Sequence, residues 1–479
     1  MSAPLWTRED VIAATAGKAE GGAWTASGVS IDSRTLEPGD LFVAITGENS
    51  DGHRYVEGAL KKGAAAAIVS TPDDAMRAAG PLVVVEDTLK ALEALGRAAR
   101  HRARAKIVAV TGSVGKTGTK EALRLILSEQ GATHASAASY NNMWGVPLSL
   151  ARMPAETRFG IFEVGMNHPG EITPLSKLVE PFVALITTVE AVHMEFFDSV
   201  EQIADAKGEI FDGLLKGGVA ILNRDNPHYA RLRAKAEASG AGSIITFGEH
   251  AQADSRLDKA ALKEDCSCVS ATICGQPVTY KLSVPGRHVV MNSLAMLAVV
   301  HALDADLAMA ALAMANLKAP RGRGERHRVE MPTGPFTVID ESYNANPASM
   351  RAALETLGQA KPAGRGRRIA VIGDMLELGE ESIDMHRALA EQIKAAGVDL
   401  VFASGPHMRE LYKTLPASMQ GAYGENSAAL GDDLAGAVEP GDVVMVKGSL
   451  GSRMGPLVEL LRGLGDDEGE SIRRNRGGN

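Results

Sequence analysis

Short apolar runs rich in β-branched residues recur along the chain. Between them lie longer stretches whose apolar positions return every three or four residues. Near the N-terminus, Val29-Ser30-Ile31, Asp40-Leu41-Phe42-Val43-Ala44-Ile45, Ala66-Ala67-Ile68-Val69 and Leu82-Val83-Val84-Val85 predict strands, with a helix at 55–62. A basic run at 97–106 closes this unit as a helix leading into a linker. Ile107-Val108-Ala109-Val110 then suits a strand buried on both faces, and 120–129 continues as a helix. Further buried strands are predicted at Phe159-Gly160-Ile161-Phe162, Val183-Ala184-Leu185-Ile186 and Val219-Ala220-Ile221-Leu222. Strands alternating with helices imply a mostly parallel sheet with right-handed crossovers. An irregular, antiparallel stretch is expected over 243–285, followed by a long apolar helix at 289–303.

A third unit starts near Lys318. Its strand candidates are Phe336-Thr337-Val338-Ile339, Ile369-Ala370-Val371-Ile372, Leu400-Val401-Phe402-Ala403 and Val443-Val444-Met445-Val446, spaced as in a small doubly wound domain. From Gly463 the chain is charged, glycine-rich and without apolar periodicity, which predicts disorder. No solenoid repeat is present. The pattern therefore predicts an α/β protein of three domains, 1–103, 104–317 and 318–462, with a disordered tail at 463–479.

Composition narrows the options. A chain of 479 residues exceeds one ordinary core. A net charge of −9 argues against a nucleic-acid partner, which needs a basic footprint. Three cysteines, Cys266, Cys268 and Cys274, make no disulfide framework and fit a reducing compartment. Cys266 and Cys268 lack a second Cys/His pair at zinc spacing, so they read as small residues on a strand. Residues 1–10 are polar and carry no secretory signal. The apolar stretch 289–303 is shorter than the roughly 20 residues a bilayer requires. A cytoplasmic protein with no membrane insertion is expected.

The strongest chemical signal is Thr111-Gly112-Ser113-Val114-Gly115-Lys116-Thr117, between a predicted strand and a predicted helix. Glycines let the backbone approach phosphate oxygens, which meet successive N–H groups and a helix N-terminus. Lys116 would neutralise β/γ-phosphates and the Thr117 hydroxyl would bind Mg²⁺. Glu163 and His193 follow neighbouring strands, whose C-terminal ends converge on the ligand crevice of such sheets. A carboxylate and an imidazole there could hold divalent metal. In Asp340-Glu341-Ser342-Tyr343-Asn344-Ala345-Asn346-Pro347 an apolar strand runs into acids and amides. Part of this is an N-cap followed by a helix-starting proline, but the density of polar groups exceeds what capping needs.

Taken in order, these pieces resemble the Mur ligases of peptidoglycan synthesis over about 28–455. The matching segments include Asp32-Ser33-Arg34, Gly47-Glu48-Asn49 with Asp51-Gly52-His53, the phosphate loop, Tyr140-Asn141-Asn142-Met143-Trp144-Gly145 and Phe162-Glu163-Val164-Gly165. Ala206-Lys207-Gly208-Glu209, Gly286-Arg287-His288 with Asn292, Gly373-Asp374-Met375 with Glu377-Leu378-Gly379, and Val446-Lys447-Gly448-Ser449 continue the series. The resemblance implies a central phosphate-loop domain that binds ATP, an N-terminal domain for the UDP end and a Rossmann-like C-terminal domain. It also implies a reaction. The γ-phosphoryl moves to the terminal carboxylate of UDP-MurNAc-tripeptide, and the amine of D-alanyl-D-alanine attacks the acyl phosphate. The Ser-Tyr-Asn-Ala-Asn-Pro and Gly-Asp-Met-x-Glu-Leu-Gly runs point to this acceptor, and the Asp-Asn-Pro-Arg motif of the preceding ligase is absent.

Residue by residue, the resemblance assigns Gly112, Ser113, Val114, Gly115, Lys116 and Thr117 to the ATP phosphates, Asn292 to adenine, Asp340 to the ribose and Arg323 to the phosphates across a domain gap. Thr117 and Glu163 would hold one Mg²⁺, His193 would help hold a second, and Lys207 matches a lysine that relatives carbamylate. Lys116, His193 and Lys207 form the expected catalytic set. Ser33, Arg34, Asn49 and His53 are candidates for the UDP-sugar end, Asn141 and Asn142 for the muramoyl-peptide channel, and Asp374 and Ser449 for the dipeptide. A monomer is expected. Two departures stand out: Gly118 where relatives often carry Thr or Ser, and Arg321-Gly322-Arg323 where Pro-Gly-Arg is common. Three rival readings remain open: a folylpolyglutamate-synthase-like or other Mur-type ligase, a nucleotide-binding scaffold without activity, and a plain NTPase switch.

Overall fold

In a computed structural model, residues 4–47 and 50–465 are described. The apolar runs form strands in three main sheets, and each sheet is built by the same alternation. Along Lys106–Thr111, Val108 and Val110 enter one core while Ile107 and Ala109 enter another on the opposite face. Leu41 and Val43 likewise part from Phe42 and Ala44, and Val444 and Val446 from Val443 and Met445. A strand with both faces apolar cannot lie at a surface, so helices cover both sides of each sheet.

The central sheet has nine strands. From one edge they run Thr133–Ala135, Phe159–Glu163, Lys106–Thr111, Val183–Ile186, Val219–Asn223 and Ser243–Gly248, all parallel. Ser255–Leu262 joins in parallel over a short register and then turns back through Ser267–Ile273 and Gln276–Leu282 as an antiparallel meander. The antiparallel expectation for 243–285 thus holds from Ser255 onward, while Ser243–Gly248 belongs to the parallel part. Cys268 lies on Ser267–Ile273, Cys266 just before it, and all three cysteines are free.

The N-terminal sheet pairs Gly28–Ser30, Asp40–Val43, Ala66–Val69 and Leu82–Val84 in parallel, with Lys18–Glu20 antiparallel at its edge. In the C-terminal sheet the order is Glu325–Val329, Phe336–Glu341, Val443–Lys447, Arg368–Gly373, Leu400–Ser404 and Gln420–Gly424, with only the first strand antiparallel. Helix Gly455–Gly463 ends on the first residue of the expected tail, and Leu464 beyond it is buried in the C-terminal core. The rest of that tail, 466–479, lies outside the described residues, as does Asn49. Among the described residues, no helix is long and apolar enough to cross a membrane.

Candidate active site

The phosphate loop leaves the C-terminal end of Lys106–Thr111 and enters helix Lys116–Ser128. Two glycines make the turn possible. Gly112 has φ +146° and Gly115 φ +87°, in the region that favours glycine. A Cβ on Gly112 would collide with Thr187 Oγ1, and one on Gly115 would sit 2.7 Å from Asn292 Nδ2. Thr187 Oγ1 donates to Val114 O at 2.6 Å. Ser113 Oγ donates to Glu190 O at 3.1 Å and accepts from Glu190 N at 2.9 Å, which fixes the loop to the next strand's exit. Lys116 Nζ folds back onto Gly112 O at 2.6 Å.

A cleft of about 740 Å³ opens over this loop, between the central and C-terminal sheets. Ser113 to Thr117, Asn141, Glu163, His193 and Asn292 line it from the central side, and Arg323 and Ser449 from the other. Glu163 ends Phe159–Glu163 and is 1% exposed. Asn141 Nδ2 donates to its Oε1 at 2.8 Å, while its buried Oε2 has no hydrogen-bond partner among the described residues. His193 holds a left-handed φ of +56° and shares a proton at Nδ1 with Glu377 Oε2 at 2.6 Å. Lys207, on Val200–Gly208, is 2% exposed and has no carboxylate partner among the described residues. Burial and the nearby Lys116 charge hold its pKa well below the ordinary lysine value.

Lys116 and Lys447 are lowered too, chiefly by burial. The Glu163 charge offsets this at Lys116 and the Glu341 charge at Lys447, while Arg323 adds to the lowering at both. Lys116, Arg323 and Lys447 thus set positive charge on both walls beside Glu163 and Glu341, and a polyanion would meet these cations.

Several predicted residues lie elsewhere. Asp340 was expected at the ribose, but it does not line the cleft. Its carboxylate is 4% exposed and accepts from Gly322 N at 3.1 Å, Ser342 N at 3.0 Å and Ser342 Oγ at 2.6 Å. It faces a neighbouring cavity that shares residues 317–320, Gly322 and Arg323 as a wall. Asp374 also stays out of the cleft. Its oxygens accept from Met408 N at 2.8 Å and His407 N at 3.3 Å, at the start of Met408–Thr414, because a desolvated carboxylate takes the nearest free N–H groups. Asn142 Oδ1 accepts from Gly145 N at 2.9 Å and closes a turn. Ser449 does line the cleft, but its Oγ is engaged, accepting from Leu376 N at 2.9 Å and donating to Ala345 O at 3.2 Å.

In the N-terminal sheet region, His53 Nε2 accepts from Ser70 N at 2.9 Å, so Nδ1–H donates to Asp51 at 2.7 Å and the ring is a locked brace. Arg34 is exposed and forks onto Asp32, while Lys62 Nζ donates to the carbonyls of Ser33 and Arg34.

Lys447, Glu377 and Arg351 line the cleft and had been given no role. Lys447 carried a signal, since it closes the buried run Val443-Val444-Met445-Val446. Glu377 stands in the Gly-Asp-Met-x-Glu-Leu-Gly run, but its partner His193 is far away in sequence; Arg351 carried no signal, and its partner Glu190 is as distant.

Three family models match the chain. The model described as the Mur ligase family catalytic domain covers residues 25–102, the Mur ligase middle domain 110–300, and the Mur ligase glutamate ligase domain 322–450. The UDP-N-acetylmuramoyl-tripeptide–D-alanyl-D-alanine ligase of Escherichia coli K12 is 35% identical over 93% of this chain and 96% of its own. A crystal structure of MurF from Acinetobacter baumannii superposes with TM-score 0.83 at 30% identity, covering 95% of this chain and 98% of that one. The MurF ligase of Thermotoga maritima, solved in complex with ADP, gives TM-score 0.76 at 27% identity over 94% and 98%.

Proposed function

This chain belongs to the Mur ligase family, and from that premise we propose that it joins D-alanyl-D-alanine to UDP-MurNAc-tripeptide at the expense of ATP, giving UDP-MurNAc-pentapeptide, ADP and phosphate for peptidoglycan synthesis. The observation that carries the reading is the cleft. It sets Lys116 and the buried carboxylate of Glu163 against Arg323 and Lys447, in a chain that matches such a ligase over nearly its whole length.

Each group then has work that its surroundings permit. A carboxylate is a poor acylating agent, so phosphate must be attached as a leaving group, and that brings two anions together. Lys116, the loop N–H groups and Arg323 oppose this repulsion. Asn292, against Gly115, is the adenine partner. Asp340 holds the turn that carries Arg323 and is assigned to that turn rather than to the ribose. As the acyl phosphate forms, its new P–O bond replaces the bond to ADP. As the amine attacks, a C–N bond forms, an amine proton is released and phosphate departs with the C–O bond.

The donors present fit a divalent cation. Glu163 offers a buried oxygen with no partner, Thr117 is 6% exposed at the start of its helix, and His193 Nε2 has no hydrogen bond among the described residues. Thr117 and Glu163 would hold one Mg²⁺, and His193 with Lys207 would help hold a second. Mg²⁺ supplies charge neutralisation at phosphoryl oxygens. A lysine whose pKa is lowered by burial gives up its proton more readily, and the amine so formed can attack CO₂. Nitrogen gains a bond to carbon as one C=O bond of CO₂ opens onto oxygen, and two protons leave in all, one from the ammonium and one after attack, so a cation becomes an anionic oxygen donor. Ser33 and Arg34 remain candidates for the UDP end, Asn141 for the peptide channel and Ser449 for the dipeptide.

Mass spectrometry of the reaction tests this reading. Purified protein with ATP, Mg²⁺, UDP-MurNAc-tripeptide and D-alanyl-D-alanine is expected to give the pentapeptide, and none without the dipeptide. A product formed with a different amine, or none, would overturn it.

A further inference from the structure

The strongest unassigned feature is the contact between residues 193–195 and 377–379, which joins the central and C-terminal sheets beside the cleft. His193 Nδ1 meets Glu377 Oε2 at 2.6 Å, and Glu195 N donates to Glu377 O at 3.3 Å. Both partners adopt left-handed backbone, φ +56° at His193 and φ +62° at Glu377. Such angles are uncommon for residues with a side chain and cost about 1 kcal/mol or more each. Two of them in direct contact across a domain junction need a compensating reason. Gly379, also left-handed at φ +64°, lies against the backbone of Met194 and Glu195, so the two loops approach closely.

We propose that Glu377 is a positioning residue for His193, so that docking of the C-terminal sheet completes the metal-holding histidine. This deepens the reading above and rests on its assignment of His193. An imidazole has two nitrogens, and the hydrogen bond at one fixes the state of the other. With Nδ1–H donating to the Glu377 carboxylate, Nε2 is the nitrogen left to meet a cation, and among the described residues it has no hydrogen-bond partner on a ring that lines the cleft. The carboxylate also makes the imidazole a better donor and stops its rotation, as carboxylates behind metal-bound histidines do. Glu377 lies in the loop after Arg368–Gly373, a strand of the other sheet, so the arrangement exists only while the two domains are docked.

The test uses the full chain with Mn²⁺ as the probe, read by electron paramagnetic resonance in the presence of ADP. Substitutions Glu377→Gln, Glu377→Asp and His193→Ala are compared with the unsubstituted protein. Loss of the supporting carboxylate is expected to weaken Mn²⁺ binding by about 10-fold or more, the range for removing such partners. Glu377→Asp should recover part of the loss, and kcat should fall with KM for D-alanyl-D-alanine unchanged. In metal-free protein, the His193 ring nitrogens should report Nδ1–H by NMR, and lose that preference in Glu377→Gln. If Glu377→Gln binds Mn²⁺ like the unsubstituted protein while His193→Ala does not, the inference fails and the metal reading stands. If His193→Ala also binds normally and remains active, the assignment of His193 fails and takes the inference with it.

Discussion

At the phosphate loop, single atoms decide what is possible. Gly115 sits at φ +87° with Asn292 Nδ2 where a Cβ would need 2.7 Å clearance. Gly115→Ala therefore strains the backbone and displaces the residue read as the adenine partner. Affinity for ADP, measured by calorimetry, should fall by about tenfold or more, since 1.4 kcal/mol suffices for that factor and left-handed strain costs about 1–3 kcal/mol. Gly118 is the contrast. It lies inside helix Lys116–Ser128 with open space around its missing Cβ. Gly118→Ala should raise stability by up to about 1 kcal/mol in a denaturant titration, because glycine is the poorer helix former. A loss of stability would mean that the position is more crowded than its surroundings indicate.

At the scale of elements, caps explain motifs that look chemical in sequence. Asn346 closes a capping box with Ser349 at the start of Pro347–Gln359, with proline in the first turn. Part of Ser-Tyr-Asn-Ala-Asn-Pro is thus a helix start, as its polar pattern allowed. Asn346→Ala should cost about 1 kcal/mol, read as a shift of the denaturant midpoint at constant slope.

The buried parallel strands were legible because both faces are apolar. The edges were not. Glu325–Val329, Thr133–Ala135 and Gln420–Gly424 are polar or short, because an edge strand has one side unpaired and little to bury. Lys120 was equally opaque. It opens the predicted helix at 120–129, and it is fully buried and donates to Ser136 O and Ala138 O, both at 2.7 Å. That brace steadies the segment leading to Asn141; Glu121 Oε1 meets the same ammonium at 2.8 Å, and the carbonyl partners are ones that no motif announces. Asp374 shows the converse, since a carboxylate in a motif was expected to face substrate and is spent on the N–H groups of His407 and Met408.

For the whole molecule, the site is divided. The phosphate loop and Glu163 belong to the central sheet, and Arg323, Lys447 and Ser449 to the C-terminal part. Few side-chain links cross between them at the cleft: His193–Glu377 at 2.6 Å and Arg351–Glu190 at 3.6 Å. A cleft bridged this lightly should tighten when a polyanion neutralises the cations on both walls. Small-angle scattering is expected to give a smaller radius of gyration with ATP analogue and UDP-MurNAc-tripeptide bound, and an unchanged radius would remove closure from the account.

The most direct test of the central claim is phosphate release from ATP by the purified protein with Mg²⁺ and UDP-MurNAc-tripeptide, with and without D-alanyl-D-alanine. The account predicts release that requires both substrates and disappears in Lys116→Ala. Release that proceeds without the dipeptide, or survives loss of Lys116, would contradict it.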